Sequence, residues 1–251
     1  MVTPGSRSRE RQLSPPSSDG NLALYDILIM PGYFVTGTGT GIGKTLASCA
    51  LLHAFRARGK LAVGMKPVAA GVENGKWADV ERLAAASNVS APRELINPYA
   101  LVPSIAPHIA AKQAGIQINI AAIGNACAEL QKLAEVVIVE GIGGFCVPLN
   151  DHQDSADMAQ ALDLPVILVV GMQLGCLSHA LLTARAVRAA GLPLEGWIAN
   201  RVDPDMQVFD ENVAALEQRL DCPLLGVLRF EQNPDAKKIS VLLDVAGMGV
   251  Y

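Results

Sequence analysis

Residues 36–45 read TGTGTGIGKT and join an apolar run typical of a buried strand (YFVTG, 33–37) to a helical pattern (KTLASCALLHAFRAR, 44–58). Glycines at such a turn let many backbone N–H groups face one small concavity, and the following helix adds its N-terminal N–H groups. Lys44 supplies a cation for the outer phosphates, and Thr45 supplies a hydroxyl for magnesium. The glycine spacing is one residue longer than in the standard pattern, which leaves a flexible turn with an incidental GKT as the alternative. We predict a P-loop that holds the phosphates of ATP together with Mg²⁺.

Strand-like and helical patterns alternate along the rest of the chain. We predict strands at 61–67, 136–140, 165–171, 194–200 and 224–228, and helices at 78–87, 118–134, 179–191 and 209–220. Strands that are apolar throughout and separated by helices indicate a parallel sheet covered on both faces. The predicted fold class is therefore α/β: a single P-loop NTPase-like domain over residues 30–245, with a mostly parallel sheet and helices on both faces.

Charge and cysteine content argue against several classes of protein. The net charge of −4 gives no basic surface for nucleic acid and no polybasic patch for a membrane. The five cysteines are scattered and form no CxxC pair, which argues against a disulfide framework or a zinc site. No apolar run reaches the ~18 residues that would suggest a membrane span. We expect a cytoplasmic protein that binds neither nucleic acid nor membranes.

The first 29 residues differ in composition from everything that follows. They include SRSRERQLSPPSSDG, which is polar and contains no apolar segment of the kind found in signal peptides. Such a composition is typical of disorder. We therefore expect residues 1–29 to be a disordered N-terminal extension, and Met30 is a plausible native start.

A second glycine-rich segment, EGIGG at 140–144, follows the predicted strand 136–140. A carboxylate at the tip of a buried strand has little reason to be there unless it holds a cation. Beside a P-loop that cation would be Mg²⁺, and we expect Glu140 to bind it. Taken alone, the segment could equally be a strand that ends in a solvated glutamate and a plain glycine turn.

Two further charged residues lie where they could reach the phosphates. Lys66 ends the predicted strand 61–67, and there it could neutralise charge on a transferring phosphoryl group. Its alternative is a surface lysine at a strand end. Asp79 lies in the first turn of a predicted helix, where an acidic residue is also favoured by the helix dipole alone.

Together and in this order, these motifs resemble those of the dethiobiotin synthetase family. The resemblance covers roughly residues 33–228 and rests on YFVTGTGTGIGKT, KPVAAG, NPYAL, PHIAA, VVIVEGIGG, PVILVVG, LGCLSHALLTA, GWIAN and PLLGVL. It implies ATP-dependent carboxylation and ring closure of 7,8-diaminononanoate with CO2. The products would be dethiobiotin, ADP and phosphate, formed through a carbamate and a carbamic-phosphoric anhydride. It also implies a homodimer.

The resemblance also implies roles for individual residues. The ATP site would consist of Gly41, Ile42, Gly43, Lys44, Thr45, Leu46, Asp79, Glu140, Gly141, Ile142, Gly143 and Asn200. Mg²⁺ would be held by Thr45, Asp79 and Glu140. Lys66 and Lys44 would be the catalytic side chains, and Asn200 would contact the edge of adenine.

Four positions depart from the family's usual pattern, and a late segment of that pattern appears here as GVLRFE (226–231). Gly39 replaces an acidic residue, Ala70 replaces a serine, Ser178 replaces an asparagine, and Arg201 follows the GWxAN motif. At Ala70 only a backbone contact to the substrate could survive. The departures concern recognition of the diamine and the base more than the class of reaction.

Three alternatives remain. One is a cobyrinate diamide synthase-like ligase domain, but such enzymes usually carry a glutaminase domain, for which we expect no room after residue 231. The second is a partitioning-type ATPase switch, but that class has a lysine at the position of Gly39. The third is a protein that binds ATP without catalysing a reaction, which only the changes at Gly39 and Ala70 favour.

Overall fold

A computed structural model describes Met1 and residues 32–248 of the 251-residue chain. The predicted extension at 1–29 lies, apart from Met1, outside the described residues. Within the described residues no helix is both long enough and apolar enough to cross a membrane.

Parallel strands form the centre of the fold. The strands are β1 (Gly32–Gly37), β2 (Ala62–Met65), β3 (Val68–Ala70), β4 (Tyr99–Leu101), β5 (Val136–Glu140), β6 (Val166–Met172), β7 (Leu194–Arg201) and β8 (Leu224–Leu228). In the described part of the chain, six of them form one parallel sheet in the order β2-β5-β1-β6-β7-β8. Strands β3 and β4 form a separate parallel pair.

Helices connect the strands. They are α1 (Lys44–Ala57), α2 (Ala78–Ala86), α3 (Arg93–Ile96), α4 (Pro107–Gln113), α5 (Ile120–Leu133), α6 (Ser155–Leu162), α7 (Cys176–Ala189), α8 (Phe209–Leu220) and α9 (Ala236–Ile239), with a 3₁₀ turn at Ser240–Leu242. Asn119 caps α5 by accepting hydrogen bonds from the backbone of Ala121 and Ala122. This cap explains why α5 begins two residues later than predicted.

Both faces of the sheet are buried, as the apolar strand sequences predict. Side chains alternate across a strand, so Tyr33 and Val35 of β1 pack with α1 on one face, while Phe34 packs on the other face with residues of α5 such as Ile123. Leu168 of β6 packs with α7 and α8 in a third cluster. The predicted fold class is confirmed.

The central position of β1 determines where the site lies. Strands β5 and β6 flank β1, so the chain leaves β1 towards one side of the sheet and returns on the other. Ligands of open parallel sheets bind beyond the carboxyl ends of the strands at such a point. Gly37, Glu140 and Asn200 all lie at these strand ends.

The predicted strand at 61–67 is divided in the structure. It stops at Met65 because the backbone N–H of Lys66 donates to the carbonyl of Ile96, 2.8 Å away, and Pro67 has no N–H to offer a neighbouring strand. The chain then resumes as β3. The sequence patterns also missed α3, α4, α6 and β4, which have three to eight residues each and are too short for a clear periodicity.

Candidate active site

A cleft of about 930 Å³ opens at the carboxyl ends of the strands. The glycine-rich loop after β1 forms one wall, and Lys66, Asp79, Glu140 and Asn200 also line the cleft. The glycine-rich loop and four other segments of the chain thus meet at the cleft. Lys66, Glu140 and Asn200 lie at or just after strand ends, as predicted, whereas Asp79 lies in the first turn of α2.

The glycine-rich loop turns sharply before α1. Gly41 and Gly43 have φ angles of 75° and 88°, a backbone conformation that residues other than glycine rarely adopt. A Cβ atom added at Gly43 would lie 2.1 Å from Nδ2 of Asn200, so this position has no room for a side chain. The loop is closed from within, because Nζ of Lys44 donates to the carbonyl of Gly39 at 2.6 Å. Residues 43–46, at the start of α1, line the cleft. The free backbone N–H groups of a helix N-terminus are suited to binding an anion.

Asn200 supports the loop from β7. Its Nδ2 donates to the carbonyl of Ile42 at 2.8 Å, and the Asn200 side chain is buried. Ile42 in turn packs so closely on β6 that a Cβ atom added at Gly171 would lie 2.5 Å from Cγ2 of Ile42. The loop conformation is thus determined by neighbouring strands as well as by its own glycines.

The two carboxylate oxygens of Glu140 differ in their hydrogen bonding. Oε1 accepts hydrogen bonds from Oγ1 of Thr45 at 2.9 Å and from Nζ of Lys66 at 2.5 Å. Oε2 is buried and has no hydrogen-bond partner among the described residues. A buried carboxylate oxygen without a partner is costly, and a cation is the usual compensation.

Lys66 is 3% exposed and is surrounded by acceptors. Besides Glu140, its Nζ contacts the carbonyl of Gly141 at 2.9 Å and Oδ2 of Asp79 at 3.4 Å. Burial alone would lower the pKa of Lys66, but the charges of Glu140 and Asp79 outweigh burial and raise it. Burial likewise opposes ionisation of Asp79, and the nearby Lys66 ammonium nevertheless lowers the pKa of Asp79. Both groups are therefore charged at neutral pH.

The pKa of Lys44 is shifted in the opposite direction to that of Lys66. Burial, with a smaller contribution from the Lys66 charge, lowers the pKa of Lys44 to about 8, although Glu140 and Asp79 partly oppose the shift. The two lysines of the cleft therefore differ: the carboxylates outweigh burial at Lys66, whereas they offset it only in part at Lys44. A polyanion bound in the loop would further stabilise the charge of Lys44.

The donor set fits magnesium better than a softer metal. Thr45, Asp79 and Glu140 offer one hydroxyl and two carboxylates, all oxygen donors, and the unpartnered Oε2 of Glu140 is available. Mg²⁺ keeps several water ligands and needs only one or two carboxylates from a protein. Within the described residues there is no group of three or more His, Cys, Asp or Glu side chains that could form a complete metal cage.

Most predicted site residues line the cleft. Those that do are Gly39, Gly41, Gly43, Lys44, Thr45, Leu46, Lys66, Ala70, Asp79, Glu140, Ile142, Gly143, Gly144, Asn200 and Arg201. Ile42 and Gly141 are not among the lining residues; Ile42 packs beneath the loop, and the Gly141 carbonyl accepts from Lys66. Ser178 lies on α7 and does not line the cleft either.

Several lining residues had no individual role assigned from the sequence, although Arg229, Phe230 and Glu231 lie in the GVLRFE segment that departs from the family's pattern. These lining residues are Thr40, Arg82, Ser104, Ile105, Ala106, Pro107, Val147, Val202, Arg229, Phe230, Glu231 and Pro234. Arg82 follows Asp79 by three residues on α2, and that helical spacing could have indicated it. The segment from Arg229 follows β8, so the strand-end rule could have found it.

Several known proteins are similar to this chain over most of its length. A family model described as an AAA domain matches residues 31–238. The ATP-dependent dethiobiotin synthetase BioD of Nitrosospira multiformis is 68% identical over 219 residues, which cover 87% of this chain and 97% of that protein. The protein of the same name from Aromatoleum aromaticum is 52% identical, with 86% and 97% covered.

Among solved structures, the MinD cell division protein of Aquifex aeolicus superposes with a TM-score of 0.52 at 13% identity, covering 80% of this chain and 83% of that one. At this identity the likeness concerns the fold alone. The sequence identities with the two synthetases are 68% and 52% over nearly their full lengths, far above the 13% found for MinD. The chain belongs to the ATP-dependent dethiobiotin synthetase family.

Proposed function

We propose that this chain catalyses the ATP- and Mg²⁺-dependent carboxylation and ring closure of 7,8-diaminononanoate with CO2, giving dethiobiotin, ADP and phosphate. The observation that carries the proposal is the 68% identity to a dethiobiotin synthetase across 97% of that enzyme. The buried Lys66–Glu140 pair, with the half-buried Thr45 beside it, supports the proposal, because phosphoryl transfer needs positive charge placed in advance.

The reaction requires three bond-forming steps. One amine of the substrate attacks CO2 and loses a proton, which gives a carbamate. A carbamate oxygen then attacks the γ-phosphorus of ATP and expels ADP. Finally, the second amine attacks the carbamoyl carbon of the mixed anhydride and loses a proton. The bond between that carbon and the phosphate oxygen breaks, which releases phosphate and closes the cyclic urea.

In this proposal the glycine-rich loop positions ATP. The loop and the start of α1, residues 41–46, bind the phosphates through backbone N–H groups, and Lys44 neutralises part of their charge. Gly141, Ile142 and Gly143 lie along the nucleotide. The Nδ2 of Asn200 is already committed to Ile42, so Oδ1 of Asn200 is the atom that would accept a hydrogen bond from the adenine amino group.

Lys66 is the proposed catalytic side chain for phosphoryl transfer. Its buried ammonium would stabilise negative charge on the transferring phosphoryl group and on the carbamate oxygen. Thr45, Asp79 and Glu140 would hold Mg²⁺, which when bound neutralises phosphate charge and orients the phosphate chain. The Ala70 backbone would contact the substrate.

We further propose a cytoplasmic homodimer whose catalytic unit is residues 30–245. Three apolar side chains around the start of α4 support an interface between copies: Val102, Ile105 and Ile109 are 61%, 42% and 44% exposed, and Ile105 lines the cleft. Light scattering during size-exclusion chromatography tests the dimer. Removing residues 1–29 is expected to leave turnover unchanged.

The decisive experiment measures phosphate release from MgATP with and without 7,8-diaminononanoate and bicarbonate, followed by mass spectrometry for dethiobiotin. Diamine-dependent release with dethiobiotin formed is the expected result. ATP binding without diamine-dependent turnover would overturn the proposal and would favour a protein that binds ATP without this chemistry.

A further inference from the structure

Asn97 lies outside the cleft but contacts the backbone of Lys66. It follows α3, is 6% exposed, and its Nδ2 donates to the carbonyl of Lys66 at 2.6 Å and to the carbonyl of Tyr99 at 3.1 Å. Both neighbours are acceptors, so the amide nitrogen and not the amide oxygen must face them. The orientation of this side chain is therefore fixed by its surroundings.

The backbone around Lys66 receives its hydrogen bonds from the same segment. Lys66 has left the regular strand β2, and its N–H donates to the carbonyl of Ile96 at 2.8 Å. The carbonyl of the next residue, Pro67, accepts from the N–H of Tyr99 at 3.0 Å. The Ile96–Tyr99 segment thus replaces the strand pairing that Lys66 and Pro67 lack. Asn97 adds a side-chain hydrogen bond to these backbone bonds.

Lys66 is consequently held at both ends. Its backbone carbonyl is bound by Asn97, while its ammonium is bound by Glu140 and by the Gly141 carbonyl. We propose that Asn97 is a positioning residue for Lys66: it determines where the Lys66 backbone lies and therefore where the ammonium reaches in the cleft. This inference rests on the proposed function of Lys66.

Loss of the Asn97 amide should free the turn without removing the lysine. The Lys66 carbonyl would lose its side-chain donor, and the buried backbone would relax. A displacement of about 1 Å at a reacting group lowers turnover by up to about a hundredfold, and we expect Asn97→Ala to lower kcat by about tenfold or more. The KM for ATP should change less than kcat, because the glycine-rich loop does not contact Asn97.

The chain offers a matched control at the other end of the same strand. Asn88 accepts from the N–H of Ala62 at 2.7 Å and donates to the carbonyl of Lys60 at 3.0 Å, so it also holds the β2 backbone. It does not line the cleft. We expect Asn88→Ala to leave kcat unchanged even if it lowers thermal stability.

The test is a double-mutant cycle of Asn97→Ala with Lys66→Ala. If the alanine variant folds poorly, the cycle is repeated with Asn97→Leu, which fills a similar volume without a donor or a charge. Diamine-dependent kcat and the Kd for MgATP are measured for each variant. Asn97→Ala is expected to impair function when Lys66 is present and to have little further effect in the Lys66→Ala background.

Equal effects in both backgrounds, or no effect in the chain that retains Lys66, would overturn the inference. Absence of dethiobiotin from the unmodified chain would overturn the proposed function alone. The MgATP affinities of the four variants would then still test the coupling between Asn97 and Lys66, because they do not require the diamine.

Discussion

Nζ of Lys66 lies 2.5 Å from Oε1 of Glu140, and both side chains are almost completely buried. The two residues are 74 positions apart and reach each other from neighbouring strands, β2 and β5. Each charge compensates the other in a place where water cannot. Replacing Lys66 leaves the buried Glu140 charge without this cation, whereas replacing Glu140 leaves Lys66 its contact with Asp79 at 3.4 Å.

The first prediction concerns stability. Lys66→Met is expected to lower the free energy of unfolding by about 3–5 kcal/mol, because Glu140 stays buried without its cation. In the Lys66→Met, Glu140→Gln double variant both charges are gone, and most of that loss should be recovered. Urea unfolding without nucleotide and magnesium measures both values.

The raised pKa of Lys66 determines how the stabilisation from the Lys66–Glu140 pair depends on pH. The stabilisation is fully present below the ordinary lysine value of 10.5 and is lost only as the pH rises through the higher folded value. If the Lys66→Met variant were as stable as the unmodified chain at neutral pH, the Lys66–Glu140 pair would not contribute to stability as predicted.

The second prediction concerns magnesium. Glu140→Gln should raise the Mg²⁺ concentration needed for half-maximal ATP binding by about tenfold or more, because it neutralises the carboxylate that carries the unpartnered oxygen. Glu135→Gln is the matched control: Glu135 precedes the same strand, and its exposed carboxylate pairs with Lys60 at the surface. Titrating Mg²⁺ against a fluorescent ATP analogue measures both, and equal shifts in the two variants would rule out a specific role for Glu140.

Sequence patterns located the residues of the site that belong to long strands and to the glycine-rich loop. Glu140 and Asn200 were predictable because Glu140 ends β5 and Asn200 is the next-to-last residue of β7, and the carboxyl ends of parallel strands meet at one edge. Gly43 was predictable because a phosphate-binding turn needs a residue without Cβ at such a φ angle.

Contacts between distant segments could not be predicted in the same way. The bond from Asn97 to the Lys66 carbonyl joins residues 31 positions apart, and no periodicity marks it. The β3–β4 pair has three residues in each strand, too few for an alternating pattern. For the segment after β8, the strand-end rule indicates that it lies near the cleft but not which of its side chains line the cleft, because packing determines how the chain turns there.

The third prediction follows from the lowered pKa of Lys44. In the nucleotide-free chain this pKa is about 8, and bound phosphates should raise it again, so ATP binding takes up a proton above that pH. Calorimetry at about pH 8.5 in two buffers of different ionisation enthalpy measures the uptake. In Lys44→Arg the uptake should disappear because the guanidinium does not titrate in this range.

Affinity for ATP should fall correspondingly as the pH rises above about 8. In the nucleotide-free chain, unfolding takes up a proton between about pH 8 and the ordinary value of 10.5, so the contribution of Lys44 to stability rises across that interval. Equal proton uptake in the unmodified chain and in Lys44→Arg would assign the titration to another group.

The fourth prediction compares two glycines of the same loop. Gly43 has a φ of 88°, and its added Cβ would lie 2.1 Å from Nδ2 of Asn200, whereas no described atom lies within 4 Å of a Cβ added at Gly39. Gly43→Ala should therefore lower the free energy of unfolding by about 2–3 kcal/mol, combining backbone strain with a disturbed Asn200–Ile42 bond. Gly39→Ala should stay within about 0.5 kcal/mol of the unmodified chain.

The Gly43→Ala, Asn200→Ala double variant separates the two causes. Removing the Asn200 amide relieves the clash but leaves the positive φ angle, so the double variant should recover only part of the stability lost in Gly43→Ala. Its affinity for MgATP should stay low, since the loop has lost its support from β7. Complete recovery would mean that the clash alone sets the need for glycine at this position, and equal stability of Gly43→Ala and Gly39→Ala would mean that neither cause operates.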